Sequence, residues 1–394
     1  MKYIKYLIGL VIVLGLLAAA GYAYLKWYAP KKYEPVYASH DPLPARYKAD
    51  RLSIRPIVHV DMHSGLKQEA DNFGYVNING PCLIKTPDWL ENKLGEYYLY
   101  FAHHKGAFLR LAVADNIGGP WRMYPYPVMP LPLSGFAQKQ SAQASGLKDL
   151  KKYFNPSEIA ALAKVGEDAA KAYKIRTQEE LPTQGPTAPH VASPDVVVDN
   201  ENQEFKLYFH GLVEGSIQMT KLATSKNGID FTAKDELIGA PYMRLFKKDD
   251  YYYGFAMPGL LYRSKDGVSN WEMRERWFMP PNTRHSGVHV MGDLLYVFYS
   301  RVGDAPERIL YTTIDMSDDD WNEWTVGKPY ELLKPELGWE GSQKLPVPSI
   351  RGEIGSQVNQ LRDPFVFKDT DGKLYLLYAG GGEQAIGMAR LKTI

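Results

Sequence analysis

Side chains able to exchange protons stand beside short apolar segments of this 394-residue chain. Asp195 and Asp363 each neighbour a proline at the start of such a segment. His285 opens another, and Glu307 lies shortly before a third. Carboxylate and imidazole groups act as general acids and bases when burial or nearby charge tunes them. We therefore take these four residues as the catalytic candidates, although a carboxylate beside a proline also bonds turn amides.

A second group of polar side chains is suited to binding a ligand. Guanidinium groups stay charged, so arginines hold or orient a substrate rather than titrate. His103 and His104 are adjacent, but no second metal-type spacing accompanies them, and we predict no metal or other cofactor. A structural cation in a central channel remains an open alternative. The substrate-binding candidates are Asn79, His103, His104, His210, Arg284, Arg301, Asp304 and Arg362.

The overall composition excludes several classes of protein. Lys and Arg number 46 against 45 Asp and Glu, so no basic excess favours nucleic acid. The lone cysteine, Cys82, excludes an internal disulfide and a cysteine zinc cluster. Aromatic residues make up 13% of the chain, with 28 Tyr, 27 Pro and 34 Gly. These proportions are typical of a turn-rich β-protein.

An internal repeat supplies the elements that position the candidates. Three short apolar strands recur five times, and a tight turn with an aromatic residue follows four of the five copies. The first strands are 81–84, 196–198, 243–246, 287–290 and 365–367; the second are 97–101, 206–210, 251–255, 295–299 and 374–378; the third are 109–114, 220–225, 259–264, 308–314 and 386–391. Four antiparallel strands repeated radially predict an all-β, five-bladed β-propeller, which a β-sandwich would not explain.

The fifth repeat reaches Ile394 without a fourth strand. We expect residues 52–60 to donate that strand, which would bring both ends of the domain into one blade. In a propeller, the starts of the inner strands and the loops between second and third strands lie on one face. The candidates fall at these two places, together with Asn77, His190, Ser193, Asn359, Lys105 and Glu383.

The N-terminal region predicts a membrane anchor. Residues 7–25 are apolar apart from glycine and two tyrosines, with lysines on both sides, and about twenty such residues span a bilayer. A cleaved signal peptide is the alternative. We expect an N-terminal transmembrane helix at 1–26, a tether at 27–50 and the propeller at 51–394. An Ala-rich stretch predicts a small helical insertion within 130–185, and a second insertion spans 335–356.

With its blades placed, residues 75–394 resemble the five-bladed propeller glycoside hydrolases, notably family 43 and relatives acting on furanosides, xylosides and anhydro-sugars. The matching pieces are Ser193-Pro194-Asp195-Val196, Arg362-Asp363-Pro364, the aromatic second strands, and the Ser-Lys-Asn-Gly and Ser-Lys-Asp-Gly turns. The resemblance implies that Asp363 is a base or transition-state stabiliser. It implies that Asp195 bonds the substrate and tunes the acid.

The sequence departs from the family pattern at two points. Asn79-Gly80-Pro81 replaces the usual acidic residue and proline of the first blade. No Glu-Gly-Pro acid motif follows in the middle blades, and Trp339-Glu340-Gly341 in an insertion is the nearest string. A related group that cleaves anhydro-galactosides offers a histidine as acid, which favours His285.

The sequence thus predicts an exported, membrane-tethered glycoside hydrolase that removes terminal sugars of the furanoside or xyloside class. The catalytic domain would lie outside the cytoplasm, in the periplasm or the extracellular space. Asp363 would activate water, and Glu307 or His285 would be the acid. Glu340, like Glu307, could be a general acid or a solvated loop charge. The alternatives are a carbohydrate-binding propeller without catalysis and a propeller-type phosphorylase whose arginines bind phosphate. Asp195 and Asp363 on opposite faces of the ring would exclude the hydrolase.

Overall fold

The structure is a computed structural model that describes residues 37–38, 45–104, 106–138, 188–214 and 217–394. The predicted anchor at 1–26, residues 27–36 and 39–44 of the predicted tether, and residues 139–185 of the predicted helical insertion lie outside this range. Within the described residues, no helix has the length and apolarity needed to cross a bilayer.

Five antiparallel sheets form the described part of the chain, and they confirm the predicted five-bladed propeller. The chain begins with β1 (Tyr47–Arg51), β2 (Val58–His59) and helix α1 (Ser64–Phe73). Blade 1 contains β3 (Asn79–Lys85), β4 (Tyr97–Ala102), β5 (Phe108–Ala114), β6 (Arg122–Met123) and β7 (Met129–Pro130). Blade 2 contains β8 (Val191–Asp199), β9 (Glu204–Glu214), β10 (Ile217–Ser225) and β11 (Thr232–Gly239).

The other three blades repeat the same order of strands. Blade 3 contains β12 (Arg244–Lys248), β13 (Tyr251–Ala256), β14 (Leu260–Ser264) and β15 (Glu272–Met273). Blade 4 contains β16 (Thr283–Met291), β17 (Leu294–Arg301), β18 (Ile309–Asp315), β19 (Thr325–Val326) and β20 (Tyr330–Leu333). Blade 5 contains β21 (Leu361–Lys368), β22 (Leu374–Gly380) and β23 (Ala385–Thr393), and 3₁₀ turns form at Val60–Met62, Leu131–Leu133 and Gly338–Glu340.

Hydrophobic cores lie between neighbouring blades and not inside each one. The core between blades 1 and 5, for example, packs Leu83 and Phe101 against Leu377. Tyrosine hydroxyls also join blades: Tyr100 on β4 donates to the carbonyl of Gly228 at 2.7 Å, and Tyr208 on β9 donates to that of Gly267 at 2.6 Å. Both glycines belong to the Ser-Lys-Asn/Asp-Gly turns, so these turns are contacts between blades as well as tight turns.

The ring is closed by the N-terminal strands. β1 pairs with β23 along five residues, and β2 pairs with the start of β23. The donor is therefore mainly Tyr47–Arg51, and the predicted 52–60 donor was wrong except at Val58–His59. Arg51 continues the closure through two hydrogen bonds to Glu340, at 2.7 and 2.8 Å. Strand pairing along five residues and one ion pair thus hold the N-terminal strand in the last blade.

Candidate active site

The inner strands begin with the same backbone irregularity. In blades 1, 2, 4 and 5 the register with the second strand shifts by one residue near the strand start. Gly80, Ser193 and Asp363 occupy this bulge with positive φ of 59°, 49° and 51°, and each precedes a proline. Tyr242, with φ of 58°, precedes the inner strand of blade 3. A left-handed non-glycine residue is strained, and such strain concentrates at functional sites.

This register separates the two candidate aspartates. Asp363 corresponds to Ser193 at the mouth of the channel, whereas Asp195 lies two residues further along its strand. Both belong to the same end of the ring, so the arrangement that would have excluded a hydrolase does not occur. Asp195 nevertheless stands one layer deeper than Asp363, beside a residue that the sequence reasoning missed.

Arg244 fills the channel at this deeper layer. Its guanidinium donates to the carbonyls of Pro81, Pro194 and Ser286 at 2.7–3.2 Å, and it lies over the ring of Phe365, 5.1 Å from the centroid. One side chain therefore contacts the inner strands of the four other blades. No sequence motif marks Arg244, because its partners are scattered along the whole chain.

Asp195 is the counterion of Arg244. Its Oδ1 lies 3.3 Å from Arg244 Nη1, and its Oδ2 accepts from the Leu245 amide at 2.8 Å. Burial raises the pKa of Asp195, and Arg244 and the Leu245 amide oppose that rise. These contacts favour a structural role for Asp195, in place of the substrate-bonding role that the resemblance implied.

Asp363 has a different environment from Asp195. Its carboxylate is fully buried and contacts His285 Nδ1, and neither oxygen has a hydrogen-bond partner elsewhere in the described residues. The ring of Tyr242 stacks on His285 at a centroid distance of 3.5 Å. Burial, together with Arg284, holds the pKa of His285 well below its usual range, so the imidazole is neutral. We infer that its Nδ1–H donates to Asp363.

His104 forms a second pair of imidazole and carboxylate. Its Nδ1 lies 3.1 Å from Glu383 Oε1, and its backbone amide donates to Asn77 Oδ1 at 2.8 Å. The Asn77 amide donates in turn to Glu383 Oε2 at 2.5 Å, and Asn79 Nδ2 lies 3.3 Å from the same imidazole nitrogen. Glu383 and Asn77, named only as residues of this face in the sequence, thus hold a predicted binding histidine.

Glu307 lies between two arginines. Its Oε1 lies 2.9 Å from Arg284 Nε and accepts from Ser300 at 2.7 Å, while its Oε2 lies 3.2 Å from Arg362 Nε. Arg362 also contacts Glu383 at 3.1 Å, so carboxylates and guanidiniums alternate across this side of the site. Burial, with Arg362 nearby, lowers the pKa of Arg284 to about 9. Glu307 is arranged as a counterion and not as a proton donor aimed at a ligand.

The remaining candidates divide between the centre of the face and its rim. His103 is buried beside Tyr75 at a centroid distance of 5.5 Å, and His210 lies 4.4 Å from Tyr242. Arg301 and Asp304 pair with each other at 3.3 Å at the partly exposed rim, so the structure does not bring them to the dyad of Asp363 and His285.

The second insertion forms one wall of the site. Arg284 donates to the Ile350 carbonyl, and Arg362 donates to the Gly352 carbonyl at 3.1 Å. Glu353 is buried, 3.4 Å from the Tyr75 hydroxyl that donates to it. The sequence did not single out Glu353. The insertion that carries it lies directly before the inner strand of blade 5, and this position is a signal for a wall of the site.

Glu340 also lies in this insertion, and all of its carboxylate contacts are structural. Its carboxylate accepts from Arg51, from the Tyr378 hydroxyl at 2.8 Å and from the amides of Glu336 and Leu337 at 2.8 and 3.0 Å. All of these partners belong to the closure of the last blade. Glu340 is therefore neither a general acid nor a solvated loop charge, the two readings open from the sequence, but a structural residue.

The structure also bears on the open question of a structural cation. In the parts of the chain that the structure describes, no group of three or more His, Cys, Asp or Glu side chains could hold a metal ion. The guanidinium of Arg244 supplies the positive charge at the channel centre.

Comparison with known proteins places the chain in a family. No protein-family model matches it. It is 33% identical over 341 residues to the uncharacterized protein R118 of Acanthamoeba polyphaga mimivirus, a match that covers 80% of this chain and 84% of that protein. The chain belongs to the family of this viral protein.

Solved structures extend the likeness at the level of the fold. A glycosyl hydrolase from Bacteroides ovatus has a TM-score of 0.54 and 11% identity, over 90% of this chain and 96% of that one. A structure of the GH130 family of mannoside phosphorylases, which contains hydrolases targeting β-1,2 mannosidic linkages in Candida mannan, has a TM-score of 0.50 and 13% identity, over the same shares. Family-43 hydrolases are also similar. The predicted resemblance to five-bladed propeller glycoside hydrolases is confirmed for the fold.

Proposed function

We propose that this protein is an exo-acting glycoside hydrolase in which Asp363 is the general base. The observation that carries the proposal is the fully buried Asp363 carboxylate, whose contact in the described residues is one neutral imidazole. A buried charge without full compensation costs stability, so its retention points to chemistry. Its left-handed backbone at the mouth of the channel supports the same conclusion.

The contact between Asp363 and His285 supports a mechanism in which the two residues act on one side of the substrate. In glycoside hydrolysis the acid and base flank the scissile bond, with carboxyl groups about 6.5–9.5 Å apart in inverting enzymes. Groups that touch cannot stand on opposite sides of a sugar ring. His285, one of the two acids favoured from the sequence, is therefore better placed as a positioning residue. Its Nδ1–H fixes one oxygen of Asp363 and leaves the other for water.

The closed channel supports the exo action of the proposal. The Arg244 layer fills the channel behind the site, so a sugar chain cannot pass through the ring. A site that is open on one face only suits a terminal residue. Furanosides and xylosides remain the substrate class that the sequence resemblance implies, and the fold neighbour that acts on β-1,2 mannosidic linkages adds mannosides to the candidates.

The pairing of the arginines disfavours the phosphorylase alternative. Phosphate binding needs cationic groups without anionic partners, whereas Arg284 and Arg362 are paired with Glu307 and Glu383. Arg301 is likewise paired with Asp304. A propeller that only binds carbohydrate would not need a buried Asp363 carboxylate with one oxygen left for water, and the following experiment separates it from the hydrolase.

The test is a substrate screen on the full-length protein. Aryl furanosides, xylosides and mannosides, and natural oligosaccharides, are assayed with and without phosphate. We expect release of free sugar without phosphate, and Asp363→Asn to lower kcat by 10³-fold or more while substrate still binds. Asp371→Asn, at an exposed turn on the opposite face, is the control. Sugar release that persists in Asp363→Asn would refute the base, and phosphate-dependent release of a sugar phosphate would favour the phosphorylase.

The membrane tether is a separate part of the proposal and rests on residues 7–25. We propose that the domain is held at a membrane with the propeller outside the cytoplasm. Fractionation of cells that make the full-length chain should place it in the membrane pellet, and protease added outside should reach the propeller. Recovery in the soluble cytoplasmic fraction would contradict both the anchor and the export.

A further inference from the structure

We propose that His104 is the proton donor to the leaving group and that Glu383 is its positioning residue. This inference rests on the proposed hydrolase function and names the acid that the sequence could not identify. In the sequence, His104 was a substrate-binding candidate only. The geometry points to a second role, because His104 is held by a carboxylate in the same manner as His285 and faces it across the site.

The imidazoles of His104 and His285 face each other across the site. The His104 and His285 rings lie 6.4 Å apart between centroids and are inclined by 58°. The ring of Tyr242 flanks both, at 3.5 Å from His285 and 6.5 Å from His104. The acid and the base must flank the scissile bond, and His104 faces the pair of His285 and Asp363 from the other side of the site. Glu307, the other acid of the sequence prediction, is occupied by two guanidiniums.

Glu383 fixes the orientation of His104. The Nδ1–H of the imidazole points to Glu383 Oε1 at 3.1 Å, so Nε2 is the nitrogen that remains for a substrate oxygen. Burial alone would raise the pKa of Glu383, but His104, Arg362 and Asn77 outweigh it and hold that pKa well below its usual range. Glu383 therefore stays a carboxylate that faces the His104 ring.

The charged groups around His104 are consistent with a proton donor. Glu383 faces it from the β22–β23 loop, and His285 faces it from β16 with Asp363 behind. Tyr242 faces it from the residues before β12, and Asn77 and Asn79, before and at the start of β3, are uncharged. The cations in range are Arg362 and Arg284; Glu307 contacts both, and Glu383 contacts Arg362 as well as His104.

The proposed step balances. A water O–H bond breaks, its proton goes to the free oxygen of Asp363, and the water oxygen bonds to the anomeric carbon. The bond from that carbon to the leaving oxygen breaks, and this oxygen takes the Nε2 proton of His104. Asp363 is then protonated and His104 neutral, and exchange with solvent restores both.

Leaving groups of different acidity test the donor. His104→Gln should lower kcat/KM by 10²–10⁴-fold on an alkyl glycoside, whose leaving oxygen needs a proton. On a 2,4-dinitrophenyl glycoside, which departs without protonation, the loss should stay within about tenfold on the same reasoning. His289→Gln, a half-buried histidine on β16 away from the site, should match the wild type on both substrates. If His104→Gln fails to fold, His104→Asn is measured in the same way.

The pH profile tests Glu383. Glu383→Gln removes the carboxylate that faces the proposed proton donor, and an opposite charge nearby favours the protonated form of such a donor. The alkaline limb of kcat/KM for the alkyl glycoside should therefore move to lower pH, while the limb for the dinitrophenyl glycoside stays in place. A purely structural Glu383 would lower activity without moving the limb.

The outcomes separate this inference from the proposed function. If the wild-type protein hydrolyses no glycoside, the proposed function itself fails. If it hydrolyses both substrates and His104→Gln loses equal activity on both, or loses none, only the proton-donor role is overturned. An unshifted alkaline limb in Glu383→Gln overturns the positioning role.

Discussion

Removal of the Arg244 guanidinium should destabilise the whole ring, because this group joins all five blades. Arg244→Met keeps most of the side-chain volume and removes every polar contact. Asp195 is then left buried with the Leu245 amide as its remaining partner. Breaking a buried ion pair in this way costs about 3–5 kcal/mol. The three carbonyls that lose a donor add on the order of 1 kcal/mol each before relaxation.

We therefore expect Arg244→Met to lower the free energy of unfolding by about 6–8 kcal/mol before relaxation, a large part of the 5–15 kcal/mol typical of a folded domain. The double variant Arg244→Met/Asp195→Asn should be more stable than the sum of its single variants predicts, by about 3 kcal/mol. Arg244→Lys, which keeps the charge but not the planar fork, should fall in between and serves if Arg244→Met does not fold.

The assay is urea unfolding followed by circular dichroism and tryptophan fluorescence, with coincident curves as the condition for a two-state treatment. The loss in Arg244→Met should also grow with pH. Burial already raises the pKa of Asp195, and loss of Arg244 raises it further. The folded state then binds a proton at Asp195 that the unfolded chain has released. Stability therefore falls as the pH rises above the pKa of Asp195 in the unfolded chain. Additive single variants, or a loss below about 1 kcal/mol, would refute the channel-centre role of this ion pair.

Three further predictions concern the scaffold. Gly341→Ala should destabilise the fold by several kcal/mol, on the order of an overpacked core site, because φ is +80° and a Cβ there would meet the Val358 carbonyl. Gly372→Ala should cost about 1 kcal/mol, because φ is +78° there but the space around it is open. Tyr208→Phe should cost about 1–2 kcal/mol in urea unfolding, since it leaves a buried carbonyl between blades 2 and 3 without its donor. Burial lowers the pKa of Lys221 to about 8 from the ordinary lysine pKa of 10.5. Between these two pH values the unfolded chain binds more protons than the folded one, so the stability of the wild type should rise with pH. Lys221→Met should lack this rise.

The repeat made the fold predictable from the sequence. Each predicted first, second and third strand falls within, or one residue outside, an observed strand of the matching blade. The aromatic residues after the tight turns, Trp121, Phe231, Trp271 and Trp324, stand directly before β6, β11, β15 and β19. Strand periodicity and turn chemistry are local, so a sequence carries them. The closing strand was displaced by five residues because polar Tyr47–Arg51 has no strand signal of its own before it meets β23.

The site was harder to predict, because its contacts are distant in sequence. Asp195 and Asp363 look alike as Asp beside Pro, but proline precedes one and follows the other, and the bulge turns that difference into two layers of the channel. Arg51 and Glu340 are 289 residues apart, and no local pattern links them. The face of the ring was predictable from strand order alone, whereas the partner of each charged group was not.

The pairing of β1 with β23 has a consequence for synthesis on the ribosome. β1 emerges before every other strand described here, and its partner emerges after all of them. Until β23 leaves the exit tunnel, β1 cannot pair with it. During this time β1 is an unpaired strand edge that another chain can capture. The nascent protein therefore stays at risk of swapping this strand with a neighbour on the same messenger RNA until β23 has emerged.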